Sequence, residues 1–354
     1  MPRGWLTSSM LRRLCLLIWA LFLLTQSTAC QQEKALATVH LSGQTMGTTW
    51  SVALLPEHDG TDAATLKALL QKRLDQINRL MSTYDPQSEL SRFNTQSGTD
   101  WFTLSDETAK VIELSLEISH LTGGAFDVSV GPLVELWGFG AAARGEKIPA
   151  DEQISAALAR VGYANIQVRR EPAAIRKQVP ELRIDLSAIA KGYAVDALAE
   201  ILQQQGLRNY LVEIGGEIKV SGHRADGAPW RVAIEKPLEG TREVAMILPL
   251  SETALATSGN YRNFFVENGQ RYAHILDPVT GRPARHRLAA VTVLDRSCAR
   301  ADALATALMV MGEEQGRQFC EQHQVAAYFL IHDNEAIAVY TSPAFPVVEE
   351  EVKK

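Results

Sequence analysis

Residues 210–220 read Tyr210-Leu-Val-Glu-Ile-Gly-Gly-Glu-Ile-Lys-Val220, two β-rich runs joined by a tight Gly-Gly turn. Strands that follow each other through so short a connection pair antiparallel, because a parallel pair needs a long crossover. Further β-rich runs lie at 230–235, 244–250, 288–294, 326–331 and 336–340. Amphipathic segments predict four helices, at 61–80, 105–122, 187–205 and 301–311. Because the strands are grouped rather than alternating with helices, we predict one compact α+β domain with mixed or antiparallel sheets and flanking helices.

The first 29 residues have the pattern of a secretory signal. Three arginines precede the uncharged apolar run Leu14–Leu24, which is too short for a comfortable membrane span. Ser27-Thr-Ala-Cys30 is similar to a bacterial lipoprotein cleavage site, although Ser27 stands where such sites usually carry Leu. Ordinary signal cleavage and a retained anchor are the alternatives to lipidation of Cys30. We expect a periplasmic protein, lipid-anchored to a bacterial membrane, with a tether at 30–40, a domain at 41–345 and a charged tail at 346–354.

Charge and cysteine content narrow the function classes. Loss of residues 1–29, which carry three arginines and no acidic residue, changes the formal net charge from −6 to −9. An acidic protein is a poor candidate for binding nucleic acid or anionic membrane surfaces. Cys298 and Cys320 remain after processing at Cys30. An oxidising compartment permits a bridge between them, and two separately buried thiols are at least as consistent with the sequence.

The segment Arg300-Ala-Asp-Ala-Leu-Ala-Thr-Ala-Leu-Met309 places Asp302 and Thr306 one helical turn apart. Residues i and i+4 share a helix face, so this carboxylate and hydroxyl together suit a cation. The surrounding alanines leave that face open to a ligand, and Gly312 is expected to end the helix. Together with a second oxygen-rich segment and its lysine, at 183–192, this segment predicts a divalent metal shared with a phosphorylated ligand.

A second segment, Arg183-Ile-Asp-Leu-Ser-Ala-Ile-Ala-Lys-Gly192, reads as the junction of a strand and a helix. Backbone amides at a helix start attract anions, and Lys191 adds positive charge one turn inside. Asp185 faces the same place. An ordinary helix cap with a solvated lysine would use the same residue types, so both interpretations stay open at this point.

Other segments also have a structural and a ligand-binding interpretation. Met46 suits a core or a planar ligand, and Tyr84 suits a helix cap or a ring-binding surface. Asp127, after Gly123-Gly124, is equally a hydrogen-bonded turn aspartate. His274, beside Asp277 and a Pro/Gly turn, is the best-placed histidine to take a hydroxyl proton, although taken alone it is more often structural. The other histidines, His286 among them, have no comparable polar setting.

From about Leu41 to Tyr340 these segments form an ordered series of short motifs: Met-Gly-Thr, Ser-Thr-Tyr-Asp-Pro, Gly-Ala-Phe-Asp, Asp-Leu-Ser-Ala-Ile-Ala-Lys-Gly, Ile-Gly-Gly-Glu, Thr-Ser-Gly-Asn-Tyr, His-Ile-Leu-Asp-Pro-Val-Thr-Gly and Ala-Asp-Ala-Leu-Ala-Thr-Ala. The series resembles the ApbE family, the bacterial FAD:protein FMN transferases. The resemblance implies a T-fold-like α+β domain, an exported and often lipidated protein, FAD as donor and magnesium as essential ion.

The resemblance also implies roles for individual residues. The implied FAD contacts are Met46, Tyr84, Ala125, Phe126, Asp127, Asp185, Lys191, Ile275 and Leu276. The implied magnesium ligands are Ala188 (through its carbonyl), Asp302 and Thr306. His274 is the implied base, Asp277 would replace it if His274 is structural, and Lys191 would offset charge on the pyrophosphate.

The implied reaction is transfer of FMN from FAD to a threonine or serine hydroxyl of an exported acceptor flavoprotein, with release of AMP. Such acceptors are typically subunits of ion-pumping or electron-transfer complexes. Two alternatives stay open on the sequence. One is a magnesium-dependent FAD pyrophosphatase that gives FMN and AMP, and the other is a non-catalytic periplasmic flavin-binding lipoprotein.

Overall fold

The computed structural model describes residues 37–56, 62–141, 148–238, 243–261, 264–267, 270–334 and 336–347. The predicted signal, the lipidation residue Cys30 and residues 30–36 of the predicted tether lie outside the described residues, as do residues 348–354 of the predicted tail. The first strand begins at Val39, two residues before the predicted start of the domain.

The described residues form seven α-helices, a 3-10 helix (Tyr163–Asn165) and seventeen strands. The helices are α1 (Ala63–Met81), α2 (Glu89–Thr95), α3 (Asp106–Leu121), α4 (Gly131–Leu136), α5 (Asp151–Leu158), α6 (Ala190–Gln204) and α7 (Cys298–His323). The strands are β1 (Val39–Thr45), β2 (Thr48–Leu55), β3 (Phe102–Thr103), β4 (Ile166–Arg170), β5 (Ala173–Lys177), β6 (Asn209–Ile214), β7 (Glu217–Ser221), β8 (Trp230–Glu235), β9 (Val244–Leu250), β10 (Thr253–Gly259), β11 (Phe264–Glu267), β12 (Gln270–Ala273), β13 (Leu276–Asp277), β14 (Arg282–Pro283), β15 (Leu288–Asp295), β16 (Ala326–Asp333) and β17 (Ala336–Thr341).

The largest sheet has eight strands in the order β1-β2-β6-β7-β10-β15-β16-β17. Every neighbouring pair in it is antiparallel, with the β6–β7 turn at Gly215-Gly216 pairing Ile214 with Glu217. The predicted α+β class with antiparallel sheet and flanking helices is therefore confirmed.

The two faces of this sheet bury different elements. Helices α1, α6 and α7 pack on one face in the main hydrophobic core, together with residues such as Trp50, Tyr210 and Val291. The β8–β9 hairpin covers the other face, where Trp230, Val232 and Leu248 pack on the sheet. Strand β15 is buried on both faces, and this explains its nearly continuous apolar sequence.

A smaller apolar cluster holds the segments that flank the candidate site. Residues from α4, α5 and the β11–β12 hairpin form it, with Trp137 stacked on Tyr272 at 5.8 Å between ring centroids. The Trp137 indole N–H donates to the Gly281 carbonyl over 2.8 Å. These contacts fix the loop around residues 274–281 against α4.

Side-chain caps explain where the main helices begin. Asp62, Ser105 and Ser297 each accept a backbone N–H from the first turn of the helix that follows. Such caps satisfy otherwise unpaired amides and stabilise a helix by about 1 kcal/mol each.

The expectation that a helix ends at Gly312 is confirmed at that residue, and a second helical stretch follows it directly. Gly312 has a non-helical backbone (φ 74°, ψ −173°), but the chain resumes a helical course and α7 continues to His323. His286 fills the interruption: its Nε2–H donates to the Met309 carbonyl over 2.5 Å, and its Nδ1 lies 4.0 Å from a Glu313 carboxylate oxygen. His286 thus has polar contacts that its neighbours in the sequence do not indicate.

The described residues contain two cysteines and no helix that could cross a membrane. Cys298 and Cys320 are both buried and free, so they form no bridge. None of the described helices is both long enough and apolar enough to cross a membrane.

Candidate functional site

A cavity of about 690 Å³ lies where α6, α7, the β6–β7 turn and the 274–278 loop meet. Its volume is within the range of cofactor sites, roughly 300–1,000 Å³. Twelve residues that the sequence singles out line it: Tyr84, Ala125, Phe126, Asp127, Asp185, Ala188, Lys191, His274, Ile275, Leu276, Asp302 and Thr306. The fold thus brings together segments that lie more than 200 residues apart in the chain.

The floor of the cavity depends on a close approach between α6 and α7. A Cβ on Gly192 would lie 2.3 Å from the Cys298 carbonyl oxygen, so only glycine fits there. This contact lets the Gly192 backbone N–H donate to Asp302 Oδ2 over 3.0 Å. Asp302 is only 3% exposed, and one turn later Thr306 Oγ1 lies 3.3 Å from Ser258 Oγ of β10.

Three charged side chains meet at this floor. The Lys191 ammonium lies 2.9 Å from Glu217 Oε1 and 3.7 Å from Asp302 Oδ2. Burial by itself would lower the pKa of Lys191, but the two carboxylates together raise it, so the ammonium stays charged. Burial raises the pKa of the Glu217 carboxyl, with Asp302 adding to the increase and Lys191 opposing it.

The donor set at the floor fits a hard cation. Asp302 contributes a carboxylate and Thr306 a hydroxyl, and Ala188 lies in the turn just before α6. The described residues contain no group of three or more His, Cys, Asp or Glu that could hold a metal. Magnesium does not need one, because it commonly binds one or two carboxylates and completes its shell with water and phosphate oxygens. Glu217 Oε2 is buried at the same floor with no hydrogen-bond partner among the described residues, which marks unused acceptor capacity.

The segment before α6 differs in detail from the prediction. The helix begins at Ala190 rather than at Ser187, and residues 187–189 form a turn. The Ser187 N–H donates to Asp185 Oδ1 over 2.7 Å, so this amide is engaged within the segment. Lys191 therefore lies in the first turn of the helix, closer to its positive end than expected.

The wall near Asp127 combines the two interpretations that the sequence left open. Both Asp127 oxygens accept hydrogen bonds: Oδ1 from the Ser129 amide and hydroxyl, and Oδ2 from the Tyr163 N–H. Burial nevertheless raises the pKa of Asp127 above its ordinary value. Asp127 is thus a hydrogen-bonded turn aspartate that also lines the cavity.

Tyr84 lies at the cavity and is 66% exposed. Partial desolvation and the nearby Asp185 carboxylate raise the pKa of its phenol, so the hydroxyl stays protonated at neutral pH. An exposed aromatic ring at a cavity is free to stack on a planar ligand.

His274 and the residues that follow it form another wall. The His274 ring is half-buried, lines the cavity and meets the edge of Phe139 at 6.3 Å between ring centroids. Asp277 does not line this cavity. Its Oδ1 accepts the Val279 N–H and its Oδ2 accepts the Thr280 hydroxyl, both over 2.8 Å, and it borders a neighbouring depression.

Met46 is not among the described residues that line the cavity. Met46 lies in the β1–β2 turn with φ 48° and packs against the main core. Cys30 lies outside the described residues.

Sequence reasoning missed Glu217 as part of the site and left Glu213 open. Glu213 lines the cavity and accepts the Gly216 N–H over 2.8 Å, which stabilises the glycine turn. Glu217 belongs to the site because it is buried against Lys191. In the sequence, only its position directly after Gly215-Gly216 could have indicated this role.

Comparison with known proteins gives a consistent result. A model of the ApbE family matches residues 46–329. The chain is 46% identical over 313 residues to the FAD:protein FMN transferase of Vibrio cholerae, covering 88% of this chain and 93% of that protein. It is 37% identical over 341 residues to the Escherichia coli K12 protein of the same name, covering 94% and 96%.

Two solved structures are similar over the same region. The flavin transferase ApbE from Vibrio cholerae superposes with a TM-score of 0.81 at 45% identity, covering 87% of this chain and 98% of that one. The apo form of the Pseudomonas stutzeri flavinyl transferase ApbE also has a TM-score of 0.81, at 38% identity, covering 87% and 95%.

Proposed function

The chain belongs to the ApbE family, and we propose that its 690 Å³ cavity binds FAD and passes the FMN moiety to a protein. The chain is a transferase with FAD as donor and a protein as acceptor, as its relatives' names state. These names favour transfer over the pyrophosphatase and carrier alternatives. The observation that carries our assignment of the site is that Lys191, Asp302 and His274 line one cavity although they are far apart in sequence.

We propose that the acceptor group is a threonine or serine hydroxyl. Its oxygen attacks the phosphorus of FAD that bears the riboflavin, and the new P–O bond joins FMN to the acceptor. The bond from that phosphorus to the bridging oxygen breaks, and AMP leaves with the bonding electrons. Phosphoryl transfer of this kind depends mainly on positioning and on stabilisation of charge.

Magnesium fits the floor, where Asp302, Thr306 and the Ala188 carbonyl would hold it. Bound there, it would offset the negative charge that develops on the pyrophosphate. Cavity residues supply the remaining functions. Lys191, kept charged by Asp302 and Glu217, attracts the phosphates, and Gly192 holds Asp302 in position through its N–H.

His274 is the proposed acceptor of the hydroxyl proton. An imidazole at the cavity wall suits this role, because histidine is the side chain that most often takes a proton in general base catalysis. Asp277 is less suited, since both carboxylate oxygens accept hydrogen bonds in its own turn. Tyr84, Phe126 and Asp127 are the proposed contacts of the flavin and nucleotide parts.

We also propose that the protein acts in the periplasm, anchored through lipid on Cys30, and that its acceptors are exported flavin-carrying subunits of ion-pumping or electron-transfer complexes. The signal-like N-terminus supports this location. Intact-mass analysis of the membrane-associated protein tests it, because a lipidated chain beginning at Cys30 has a distinctive mass.

The test of activity uses the purified protein with FAD, magnesium and a threonine-containing acceptor protein. We expect a magnesium-dependent mass gain on the acceptor that equals FMN, with AMP released in equal amount. Release of free FMN and AMP without labelling of any acceptor would contradict transfer and support hydrolysis. FAD that is bound but unchanged would support the carrier.

A further inference from the structure

A second depression, of about 370 Å³, adjoins the FAD cavity. We call it the glutamine groove. Its lining comes from segments within 122–125, 277–279 and 310–322, the last belonging to the second half of α7. The function proposed above does not use it.

The glutamine groove is continuous with the cavity. Ala125 and Val310 line both, and Val310 follows Asp302 and Thr306 on one stripe of α7 at four-residue spacing. A ligand lying in the groove therefore ends beside the residues proposed to hold the pyrophosphate.

The chemistry of the groove suits a peptide rather than a nucleotide. Gln315, Gln318 and Gln322 lie at spacings of three and four residues on α7, and all three side chains are exposed. A glutamine side-chain amide both donates and accepts hydrogen bonds. It can therefore pair with the N–H and C=O groups that an extended backbone exposes. No lysine or arginine is among the described residues that line the groove, and the C-terminal end of α7 carries partial negative charge, which disfavours phosphate.

The opposite wall is a rigid turn with an apolar tip. Asp277 fixes this turn by accepting from Val279 and Thr280, and the Gly281 N–H donates to the Asp277 carbonyl. Val279 is thereby held at the groove with 75% of its surface exposed. It offers a contact for an apolar side chain of a bound segment.

We propose that the glutamine groove binds the acceptor protein as an extended segment, with Gln315, Gln318 and Gln322 contacting its backbone and Val279 contacting one side chain. The segment would pass Ala125 and Val310 and deliver its threonine or serine to the FAD phosphorus. This inference rests on the proposed function, since it assigns the acceptor's place in the same reaction. Asp277 then becomes a positioning residue for the groove.

The first test is the triple variant Gln315→Ala, Gln318→Ala and Gln322→Ala, with Gln204→Ala, an exposed glutamine at the end of α6, as matched control. The probe is an acceptor protein that the wild-type chain labels with FMN. Each neutral hydrogen bond is worth roughly two- to tenfold in binding. We expect the acceptor KM to rise about tenfold or more in the triple variant and not in the control, with the KM for FAD unchanged in both.

An unchanged acceptor KM in the triple variant would overturn the groove while leaving the transferase intact. An equal rise in the KM for FAD would overturn it too, because the groove would then belong to the donor site. Failure of the wild-type chain to label any acceptor is a different result, since it overturns the proposed function itself.

A second measurement does not depend on rates. A photo-reactive benzoylphenylalanine replaces Gln318 in one variant and Gln204 in the other. We expect crosslinks from position 318 to the acceptor peptide that carries the modified threonine, and none from position 204. Crosslinks from position 318 to a distant acceptor surface, or none at all, would overturn the proposal.

Discussion

Helix α7 consists of two helical halves joined at the non-helical residue Gly312, and the two halves belong to different parts of the molecule. Before Gly312 most residues are buried, and small side chains let the helix run under the sheet and against α6. After Gly312, one face packs on the core through Phe319 and Cys320 while the other exposes glutamines and glutamates. The first half suits a fixed charged site, and the second suits a surface that meets a partner.

The difference follows from what each half must bury. Asp302 is a charged group in the interior, so it needs the Gly192 N–H and the Lys191 ammonium as partners. The exposed glutamines of the second half are solvated and need no such partners. We therefore expect substitutions in the first half to affect chemistry and stability together, and substitutions of the exposed glutamines in the second half to affect partner binding alone.

The largest expected effect is that of removing the charge of Asp302. Asp302→Asn should lower the rate of magnesium-dependent transfer by at least about 10³-fold, because it removes a charge that stabilises the reacting phosphates. Asn keeps an oxygen that can accept the Gly192 N–H, so the fold should persist. Transfer rates across a magnesium titration, together with thermal unfolding, measure both.

Asp302→Ala is the matched variant. It also leaves the buried Gly192 N–H unpaired, which should cost about 1–3 kcal/mol of unfolding free energy in addition to the loss of activity. A wild-type rate with unchanged magnesium dependence in either variant would exclude Asp302 as a metal ligand and would weaken the distinction between the two halves.

Replacing His274 tests the proposed general base, which lies outside α7. His274→Ala should slow transfer by roughly 10²–10⁴-fold, the usual contribution of a general base, with little change in FAD affinity. Single-turnover labelling and an FAD-binding titration separate the two quantities. Asp277→Asn is the control, and we expect a far smaller effect on the rate at saturating acceptor. The reverse ranking would move the base to Asp277.

Much of this fold is predictable from the sequence, because the strands are bounded by glycine turns and the helices by caps. Strands β8 and β9 have the bounds that their residue pattern predicts. β10 is not predicted, because Thr257-Ser258-Gly259 is polar and lacks the apolar residues of the predicted strands. The segment is a strand whose end also lines the cavity, so its polar residues satisfy both requirements.

The site is predictable only where a residue pattern reflects its chemistry. The i, i+4 spacing of Asp302 and Thr306 identifies a helix face, and the structure places that face on the cavity. The role of Glu217 depends on burial beside Lys191, which arises when β7 and α6 pack together, and no local pattern encodes it. The continuation of α7 past Gly312 depends likewise on His286, a residue 26 positions away.

Gly312 joins the two halves of α7, and its replacement should lower the free energy of unfolding. Gly312→Ala places a side chain at φ 74°, ψ −173°, where its Cβ would lie 2.8 Å from the His286 ring. Backbone strain in this region costs about 1–3 kcal/mol. Urea unfolding should show a loss of at least that size.

Gly316→Ala is the control within the second half. Its backbone is helical, and its Cβ would meet Phe329 at 3.0 Å, a ring edge that must shift by a few tenths of an ångström. Alanine gains about 1 kcal/mol of helix propensity over glycine, so the net change should be smaller than at Gly312. Equal losses at the two positions would show that α7 responds as one rigid helix.

The smallest expected effect concerns the two thiols, one in each half. Burial raises the pKa of Cys298, with the carboxylates of Asp196, Glu217 and Asp302 adding to it, and burial raises the pKa of Cys320 to about 12. Both thiols are therefore protonated and inert near neutral pH, where only a thiolate reacts. Peptide mapping should find both cysteines unmodified by iodoacetamide in the native protein and both alkylated in denaturant.

Cys298 and Cys320 lie 22 residues apart on α7, so a native disulfide between them is also excluded by geometry. Rapid native labelling of Cys298 alone would show that the first half of α7 opens to solvent. That result would contradict the interpretation of the first half as the fixed part of the helix.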